Sequence, residues 1–563
     1  MTRLAQLKSC NNLRDLAEVL GIEPSILSHR LYKIPDSKKY STFSIPKKTG
    51  GIRIIHAPDP RLAFVQRRLA TLLQDCLGEI ERSQGVETKC AYSHGFRRKR
   101  SIVTNAIKHR RRRWIFNVDV LDFFPSINFG RIQGYFSKNR YFSLKNEVAT
   151  VIAQIACHNG ALPQGSPCSP IISDLIASVM DQHLGKMAKS LGCTYTRYAD
   201  DLTFSSNKKT FPSRIAHPLP DPSHKWSAGN DLVGIVRRAG FALNHAKSRM
   251  HYRDSRQSVT GVVVNEDVNV PEEFYKTTRA MCQHLFSRNE CFLVDKDQIA
   301  AKASRDNLRG RLSFIYDVKN RGDWQNKKRI RTTNSPNFYK LYRKFLDYNY
   351  FYAPISPVLM FEGDSDIIHV DSAIRSLRKK YPQLVDPGTG EPIVTYYRTS
   401  QVSDAVHHIK GGTGDLNILL GRYADIAGQF TANVTREPVI FILDNDSGSR
   451  DLFKKAATLS KTVVDGTAPY YHIVDNLYIV PIPLGGKKAA QIEDLFSTSV
   501  LNKRVGGKSL QLDENKFDKN KNFGKIYFAN HVVRPARSKI SFRKFEPLLA
   551  AISDAIADYA MRR

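Results

Sequence analysis

The sequence predicts a multidomain protein in which an α+β part is followed by an α/β part. Three observations support this fold class. The length of 563 residues suits three or four compact units at about 150 residues per unit. All eight cysteines precede residue 292, so the composition changes along the chain. Two uninterrupted apolar runs, 357–363 and 438–446, are typical of parallel strands that are buried on both faces.

The charge balance narrows the class of partner. Lys and Arg number 86 against 53 Asp and Glu, which gives a net charge of +33. Such an excess favours nucleic acid, with an anionic membrane surface as the second alternative. No stretch approaches about 18 consecutive apolar residues, and the amino terminus does not resemble a signal peptide, so we expect a cytoplasmic protein that does not span a membrane. The cysteines contain no CxxC pair, which speaks against a zinc site.

Local patterns predict the first elements of the chain. Short helices are expected at the amino terminus, with Asn12 as a cap and Gly21 as a stop signal. Residues 43–58 predict a β-hairpin around a Lys-Lys-Thr-Gly-Gly turn. Residues 61–77 have the spacing of an amphipathic helix with a basic face.

Two sets of carboxylates follow strand-like runs. Asp119 lies in an apolar run that begins at Trp114, and Asp200 and Asp201 occupy the bend of a predicted hairpin over 193–206. Two-metal phosphoryl transfer requires carboxylates held together on rigid strands, and Mg²⁺ prefers such oxygen ligands. An isolated Asp-Asp pair is more often simple turn chemistry. The two flanking strands favour the catalytic interpretation here.

Four motifs in this order resemble the reverse transcriptases. They are VDVLDFF (118–124), LPQGSPCSPIISDLIA (162–177), YADD (198–201) and GFALNHAKSR (240–249). The resemblance implies a right-hand polymerase with fingers, palm and thumb. Two further motifs, NAxxH at 105–109 and VTG at 259–261, are hallmarks of retron reverse transcriptases.

The resemblance also implies a substrate and partners. Retron enzymes copy part of a structured noncoding RNA from a guanosine 2′-hydroxyl in that RNA and leave a branched RNA–DNA product, msDNA. The expected partners are therefore this RNA, its msDNA and deoxynucleoside triphosphates, with Mg²⁺ as the cofactor. A bulky product would favour self-assembly of the chain, and the sequence leaves the oligomeric state open.

The matching positions assign roles to individual residues. Asp119, Asp200 and Asp201 would hold the metal ions. The expected nucleotide-binding residues are the gate Phe124, the pocket residues Gln164 and Gly165, the motif lysine Lys247, and the candidate triphosphate clamp Arg53. Core packing of Phe124 and a solvated Arg53 are the alternatives. The expected RNA contacts are Asn105, His109, Arg110, Arg111, Arg112, Arg113, Val259, Thr260 and Gly261, and a structural role is the alternative for His109.

A second constellation follows the two apolar runs. Glu362 and Gly363 end the first run, Asp366 opens the next helix, and Asp444 and Asp446 end the second run. Open parallel sheets place their sites at the carboxyl ends of strands. The acids could bind Mg²⁺ and leave one carboxylate for acid–base work.

This pattern of EGxxD and DxD resembles a Toprim domain, a parallel-sheet fold found in topoisomerases, primases and nucleases. The resemblance implies catalytic roles for Glu362, Asp366, Asp444 and Asp446, with Glu362, Asp444 and Asp446 as metal ligands. Glu493 and Asp494 resemble a further acidic element of nuclease-type Toprim domains, and helix capping is the alternative. Residues 410–416 would form either a phosphate-approaching loop or a plain turn.

The fusion resembles retron systems in which polymerase and toxic effector share one polypeptide that guards a bacterium against phage. The expected effector activity is metal-dependent cleavage of a nucleic acid, with RNA such as transfer RNA slightly preferred over DNA. A noncatalytic Toprim platform is the alternative, and the NAxxH and VTG motifs argue against an intron maturase. The predicted boundaries are 1–320 for the polymerase (fingers and palm about 30–265, thumb about 266–320), 321–355 for a connector, 356–496 for the Toprim domain and 497–563 for its extension.

Overall fold

The chain forms two compact units. The computed structural model describes residues 1–47, 50–83, 85, 92–220, 225–294, 299–322, 337–434 and 436–563. The first unit comprises Met1–Tyr275 and Ser313–Gln325, and the second comprises Lys276–Leu312 and Asn326–Arg563. Residues 266–320, the expected thumb, are thus divided between the two units, and the assignment of polymerase subdomains stays a prediction. Among the described residues, no helix is long and apolar enough to cross a membrane.

The first unit is built from helices around a small sheet. Its helices are α1 (Arg3–Ser9), α2 (Leu13–Leu20), α3 (Pro24–Tyr32), α4 (Asp36–Lys39), α5 (Pro60–Ser83), α6 (Ile102–Ala106), α7 (Phe129–Lys138), α8 (Asn146–Ala156), α9 (Ser169–Ser190) and α10 (Asn230–Arg238). Its strands are β1 (Tyr40–Pro46), β2 (Ile52–Pro58), β3 (Trp114–Leu121), β4 (Thr194–Tyr198), β5 (Asp201–Ser206), β6 (Ala216–Pro218), β7 (Trp226–Ala228), β8 (Ala242–Tyr252), β9 (Ser258–Val259) and β10 (Val262–Val263).

The amino-terminal predictions are confirmed. Asn12 caps α2, since its side-chain oxygen accepts from the backbone N–H groups of Arg14 and Asp15 at 2.9 and 3.1 Å. Gly21 ends this helix in the left-handed region, with φ of 67°. The predicted hairpin is the antiparallel pair β1–β2. The predicted amphipathic helix is α5, which buries its apolar face.

The central sheet of the first unit positions the three aspartates of the motifs, Asp119, Asp200 and Asp201. Its order is β4-β5-β3-β8, and all neighbouring strands are antiparallel. The β3 residues Ile115, Phe116, Val118 and Val120 are buried, and α9 packs against β4. This packing gives the strand ends a rigid base.

The second unit contains a mostly parallel sheet. Helices α11 (Glu272–Arg288) and α12 (Arg305–Gly322) contribute residues to both units. The strands of this unit are β11 (Phe292–Val294), β12 (Ile299–Lys302), β13 (Val358–Phe361), β14 (Thr395–Tyr396), β15 (Val439–Leu443), β16 (Tyr471–Val474), β17 (Leu477–Pro481), β18 (Ser509–Leu510) and β19 (Asn522–Phe523). The main sheet contains five of them in the order β14-β13-β15-β17-β16, with only β16 antiparallel to its neighbour. The two apolar runs therefore pair as parallel strands, β13 beside β15, as predicted.

The remaining helices correct two predictions. They are α13 (Asn337–Asp347), α14 (Asp364–Ser376), α15 (Thr413–Ala427), α16 (Arg450–Ser460), α17 (Thr498–Leu501), α18 (Lys525–Phe528) and α19 (Glu546–Arg562). The apolar pattern of residues 524–533 (GKIYFANHVV) by itself predicts a strand, and this prediction is wrong. The segment forms α18 and a π-helical turn, because its buried residues Phe528, Ala529, Val532 and Val533 recur at helical spacing.

The predicted connector 321–355 is also partly wrong. Residues 323–336 of this connector lie outside the described residues. From Asn337 the chain forms α13 and a π-helical turn over Tyr348–Tyr352, and both bury aromatic side chains. Burial of these rings makes the segment part of the second unit rather than a linker.

Candidate active sites

The aspartates meet at one edge of the first-unit sheet. Asp201 opens β5 and pairs in register with Asp119 on β3. Asp200 lies in the β4–β5 turn, where its carbonyl oxygen accepts from Val120 N–H at 3.0 Å. The turn is tight, since Ala199 has φ of 55°, which is strained for a residue with a side chain. The predicted aspartate cluster of Asp119, Asp200 and Asp201 is thus assembled on adjacent strands.

A bulge brings Lys247 to this cluster. Pairing between β3 and β8 shifts so that Asn117 opposes Arg249 while Asp119 opposes Asn244. Extra residues in a bulge redirect side chains. Lys247 lies in this bulge, and its Nζ donates to Asp119 Oδ2 at 2.8 Å.

Like charges raise the proton affinity of the cluster. The pKa of Asp201 is raised to about 7 by desolvation and by the charges of Asp200 and Asp119. The pKa of Asp200 is raised by burial and by Asp119, against the opposing charges of Lys247 and Arg53. The hydrogen bond to Asp119 raises the pKa of Lys247.

A buried ion network supports the turn from below. Arg197 is fully buried, and its guanidinium donates to Asp174 Oδ1 at 2.9 Å and to Asp181 Oδ2 at 2.7 Å. The same guanidinium donates to the carbonyl oxygen of Ala199 at 3.1 Å. Sequence reasoning missed this residue, although an arginine near the end of the strand that leads into the aspartate turn was a usable signal.

Close packing fixes both the turn and the neighbouring loop. A Cβ on Gly95 would lie 2.4 Å from the backbone nitrogen of Ala199. A Cβ on Gly165, which has φ of 119°, would lie 2.6 Å from His56 O. The backbone of Gln164 accepts from His56 N–H at 2.7 Å, which ties this loop to the β1–β2 hairpin. Glycine at 165 is therefore required by both conformation and space.

The other predicted nucleotide-binding residues surround this arrangement. Arg53 is exposed on β2 and close enough to Asp200 to lower its pKa electrostatically. Phe124 is half-buried, and its ring centroid lies 5.6 Å from that of Phe123 and 6.0 Å from that of Phe96. The structure thus packs Phe124 against the core of the first unit, and its role as a gate stays a prediction.

Burial argues against RNA contact by His109 and Asn105. Both side chains are fully buried. His109 bridges two strands, since its ring nitrogens lie 2.7 Å from the hydroxyl oxygens of Ser205 and Thr196. Burial lowers the pKa of His109 to about 3, so the ring is neutral. The alternative reading of His109 as a structural histidine therefore fits the structure, because a side chain without exposed surface cannot reach RNA.

The two retron-type motifs instead pack against each other. Thr260 Oγ1 donates to Ile102 O at 3.3 Å, which joins the VTG turn to α6, and Val259 is buried. Gly261 is exposed with φ of 83°. The motif thus supports the local fold and leaves only its turn at the surface.

The four consecutive arginines 110–113 form ion pairs and hydrogen bonds, and two of them line a surface cleft. Arg110 and Arg111 form ion pairs with Asp267 and Glu266 at 3.4–3.6 Å, and Arg112 donates to Thr194 Oγ1 at 3.2 Å. A cleft of about 700 Å³ is lined by residues that include Arg111, Arg113, Trp114, Tyr252 and Arg253. Basic and aromatic side chains together suit RNA, and these contacts remain predictions.

The second set of acids assembles at the carboxyl ends of β13 and β15. Glu362 follows β13, and its Oε1 accepts from the backbone N–H of Asp444, after β15, at 3.2 Å. Its Oε2 accepts from Thr413 Oγ1 at 2.8 Å, and its carbonyl oxygen accepts from Gly412 N–H at 2.8 Å. The loop 410–416 therefore reaches the acids, although no phosphate contact follows from this.

A buried glutamate and a lysine complete this group. Glu493 is fully buried, and its Oε2 accepts from Lys525 Nζ at 3.0 Å. Its Oε1 has no hydrogen-bond partner among the described residues. We call Glu362, Asp366, Asp444 and Glu493 the glutamate cluster. Sequence reasoning left the role of Glu493 open and missed Lys525, which lies in a segment without a recognisable motif.

Mutual repulsion also operates in the glutamate cluster. The pKa of Asp366 is raised to about 7 by burial and by Glu493. The pKa of Asp444 is raised to about 7 by burial, then by Glu362 and Asp366. Burial alone would lower the pKa of Lys525, but Glu493 and its neighbours raise it overall. The lysine therefore stays charged among the acids.

Two predicted acids lie apart from these contacts. Asp446 is exposed, and its Oδ1 accepts from Gly448 N–H at 2.8 Å, so it caps a short 3₁₀ turn. Asp494 pairs with Lys487 at 2.7 Å and accepts from Gln491 N–H at 3.0 Å. The capping alternative therefore describes Asp494, whereas ligation by Asp446 stays a prediction.

The donor chemistry of both clusters fits Mg²⁺. Carboxylate oxygens are its preferred protein ligands, and the raised pKa values show negative charge that a divalent cation would relieve. In the described part of the chain, no three acidic, histidine or cysteine side chains already converge closely enough to hold a metal ion. In the aspartate cluster, Lys247 engages Asp119 directly.

Comparison with known proteins identifies the first half of the chain. Residues 45–273 match the family described as reverse transcriptase (RNA-dependent DNA polymerase). The chain is 31% identical over 314 residues to the retron Ec86 reverse transcriptase of Escherichia coli, covering 55% of this chain and 85% of that protein. It is 31% identical over 318 residues to the retron Mx65 reverse transcriptase of Myxococcus xanthus, covering 54% of this chain and 67% of that protein.

Solved structures show a more distant likeness. A telomerase from Candida albicans, determined with a fragment of telomeric RNA, covers 56% of this chain and 64% of its own length with a TM-score of 0.32 and 10% identity. An apo telomerase from Candida tropicalis covers 55% and 60%, with a TM-score of 0.30 and 12% identity.

Proposed function

This chain belongs to the retron reverse transcriptases, and we propose that it joins msDNA synthesis to a nuclease in one polypeptide. The first unit would copy a dedicated noncoding RNA from a 2′-hydroxyl primer. The second unit would be a Toprim nuclease that cleaves a nucleic acid in the bacterial cytoplasm when phage infection disturbs the msDNA. RNA is our preferred target.

The meeting of Glu362 with Asp444 carries the nuclease proposal. Two acids that are distant in sequence are joined at the carboxyl edge of a parallel sheet by a hydrogen bond of 3.2 Å. Glu493 is buried beside them, and its Oε1 has no hydrogen-bond partner in the part of the chain that the structure describes. A binding platform has no need of buried, mutually repelling carboxylates, whereas a catalytic site does. This argues for an enzyme over the platform.

The residues divide the chemical work. Bound Mg²⁺ would stabilise the charge that develops on the phosphate during cleavage. We assign metal binding to Glu362, Asp444 and Asp446 in the second unit, and to Asp119, Asp200 and Asp201 in the first. Asp366, with a pKa of about 7, can accept the proton of an attacking water near neutral pH.

In the first unit, three kinds of side chain or loop would position the deoxynucleoside triphosphate and exclude a ribonucleotide. Gly165 holds its loop against the β1–β2 hairpin. This loop would form the floor of the nucleotide site. Arg53 and Lys247 place positive charge near Asp200, where a triphosphate would bind. Phe124, packed against Phe96 and Phe123, would exclude a ribose 2′-hydroxyl.

The decisive experiment separates the two activities in bacterial cells that also express the flanking noncoding RNA. It compares wild type with Asp200→Asn and with Asp444→Asn for branched DNA and for survival after phage challenge. We expect Asp200→Asn to abolish branched DNA and Asp444→Asn to leave it intact. Both changes should remove protection, because each disables one step. Sequencing the cleaved nucleic acid would identify the target.

Two control variants test whether a loss of activity is specific to the acids of the two clusters. Glu147→Gln in the first unit and Asp451→Asn in the second remove exposed carboxylates outside both clusters, and both should behave as wild type. Protection by Asp444→Asn at the wild-type level would reject the nuclease and leave the platform. Branched DNA made by Asp200→Asn would reject the assignment of the polymerase site.

A further inference from the structure

A cavity in the second unit has features that neither active site explains. It has a volume of about 540 Å³, within the range of small-molecule sites. Its walls come from the first turn of α12, the chain after α13 and the start of the sheet. Residues that line it include Arg305, Arg309, Tyr350, Ser356, Thr395 and Arg398.

The cavity lies at the sheet edge opposite to the glutamate cluster. Its lining includes Val358 and Thr395, which are the first residues of β13 and β14. These strands run parallel, and Glu362 follows the other end of β13. The cavity is therefore a separate site, and its argument does not depend on the proposed nuclease.

Positive charge dominates the lining. Three arginines face one carboxylate, that of Asp306, which lies 3.9 Å from the Arg309 guanidinium. The Arg305 guanidinium donates hydrogen bonds to two neutral oxygens, Asn289 Oδ1 at 2.7 Å and the carbonyl oxygen of Ala353. The buried Nε of Arg309 has no hydrogen-bond partner among the described residues. The cavity thus offers cationic donors to an anion.

Aromatic and hydroxyl groups add a second kind of contact. The Arg309 guanidinium lies 5.6 Å from the centroid of the Tyr350 ring, which is half-buried and lines the cavity. Ser356 Oγ and Thr395 Oγ1 are 2.7 Å apart, and both residues lie in the wall. Aromatic rings beside arginines bind nucleobases by stacking while the arginines bind phosphate.

We propose that this cavity binds a nucleotide unit. Its phosphate contacts Arg309 and Arg398, and its base stacks on Tyr350. The same chemistry is offered by a free deoxynucleotide and by a nucleotide within a DNA strand such as the msDNA. Because the cavity lies at the opposite edge of the sheet from the glutamate cluster, the bound nucleotide is a regulatory ligand of the second unit and not its substrate.

Hydrogen–deuterium exchange of the full chain tests the proposal, because it separates this cavity from the polymerase site. The probes are dATP and a short oligodeoxythymidylate, each added to wild type, Arg309→Gln and Arg398→Gln. We expect at least one probe to slow exchange in 304–310, 349–356 and 395–398. Loss of one arginine–phosphate contact should weaken this protection by roughly tenfold in probe concentration.

Each outcome has a defined meaning. Protection by dATP identifies a free nucleotide as the ligand, and protection by the oligonucleotide alone identifies a strand. Arg378→Gln, at an exposed arginine outside the cavity, should leave the protection unchanged. Arg398 is exposed, so its change tests the site even if Arg309→Gln perturbs folding. Absence of protection by both probes, or its full persistence in Arg398→Gln and Arg309→Gln, overturns the proposal.

Discussion

The aspartate cluster and the glutamate cluster both hold mutually repelling carboxylates close together, but on different kinds of sheet. In the first unit, the acids lie on an antiparallel hairpin and its neighbouring strand, with the fully buried Arg197 beneath and Lys247 above. In the second unit, they gather at the carboxyl edge of parallel strands around Glu493 and Lys525. Both raise the pKa of an aspartate to about 7.

The difference lies in where the compensating charge is placed. Arg197 stabilises the aspartate turn without contacting the three acids, through buried partners and the Ala199 carbonyl. Lys525, in contrast, enters the glutamate cluster itself and binds Glu493. The first unit therefore has a buried cation apart from its three acids in addition to Lys247, whereas Lys525 lies within the glutamate cluster of the second unit.

Breaking the buried network of Arg197 should have the largest effect. Arg197→Met leaves the buried Asp181 without its cation and Asp174 with Arg97 alone, which should lower the free energy of unfolding of the first unit by about 3–5 kcal/mol. Urea unfolding followed by tryptophan fluorescence measures this change, since Trp114 and Trp226 belong to that unit. Arg214→Met breaks an exposed pair with Asp231 and should cost at most about 1 kcal/mol. Equal losses in the two variants would refute a special role for Arg197.

Removing Lys525 should destabilise the second unit less than removing Arg197 destabilises the first. Lys525→Met leaves the buried Glu493 carboxylate without its donor and should lower the free energy of unfolding by about 1–3 kcal/mol. Combining it with Glu493→Gln should recover part of this loss, because the uncompensated charge is gone. Thermal and urea unfolding of the single and double variants would measure the coupling.

Lys521 provides the matched control for this experiment. Its side chain is largely exposed, and its pair with Asp518 spans 3.9 Å. Lys521→Met should therefore change stability by less than about 0.5 kcal/mol. Strictly additive losses for Lys525→Met and Glu493→Gln would mean that the two side chains do not interact.

The smallest effect concerns His109, the neutral histidine that bridges β4 and β5. The folded-state pKa of His109 is about 3, below the ordinary value of about 6.5 in an unfolded chain. Its contribution to stability is complete above about pH 6.5 and falls as the pH drops, because only the unfolded chain then takes up the proton. The loss approaches about 1.4 kcal/mol per pH unit.

Replacing His109 measures its contribution to the pH dependence of the free energy of unfolding. His109→Gln cannot titrate, so its free energy of unfolding should fall less steeply than that of wild type between about pH 5.5 and 4.5. Fluorescence-monitored urea titrations at both pH values give the two slopes. Identical slopes would show that His109 is protonated in the folded state, contrary to its burial.

Local patterns were sufficient to predict several parts of the fold. The β1–β2 hairpin, α5, the cap at Asn12 and the β4–β5 turn with Asp200 all depend on neighbouring residues, so turn signals and periodicity predicted them. The parallel pairing of β13 and β15 was also predicted, because both runs are apolar on both faces. The segment 524–533 was misassigned, since a short apolar run does not distinguish a strand from a helix.

The sequence by itself determined the acid residues, their motif order and the strands that carry them, because chemistry and short-range propensity are written in adjacent positions. Only the tertiary structure decided which polar groups meet. It buried His109 against Ser205 and Thr196 instead of exposing it, put Arg197 under the turn and brought Lys525 to Glu493. Such partners are distant along the chain, and a buried charge selects its counterion by packing in three dimensions rather than by spacing in the sequence.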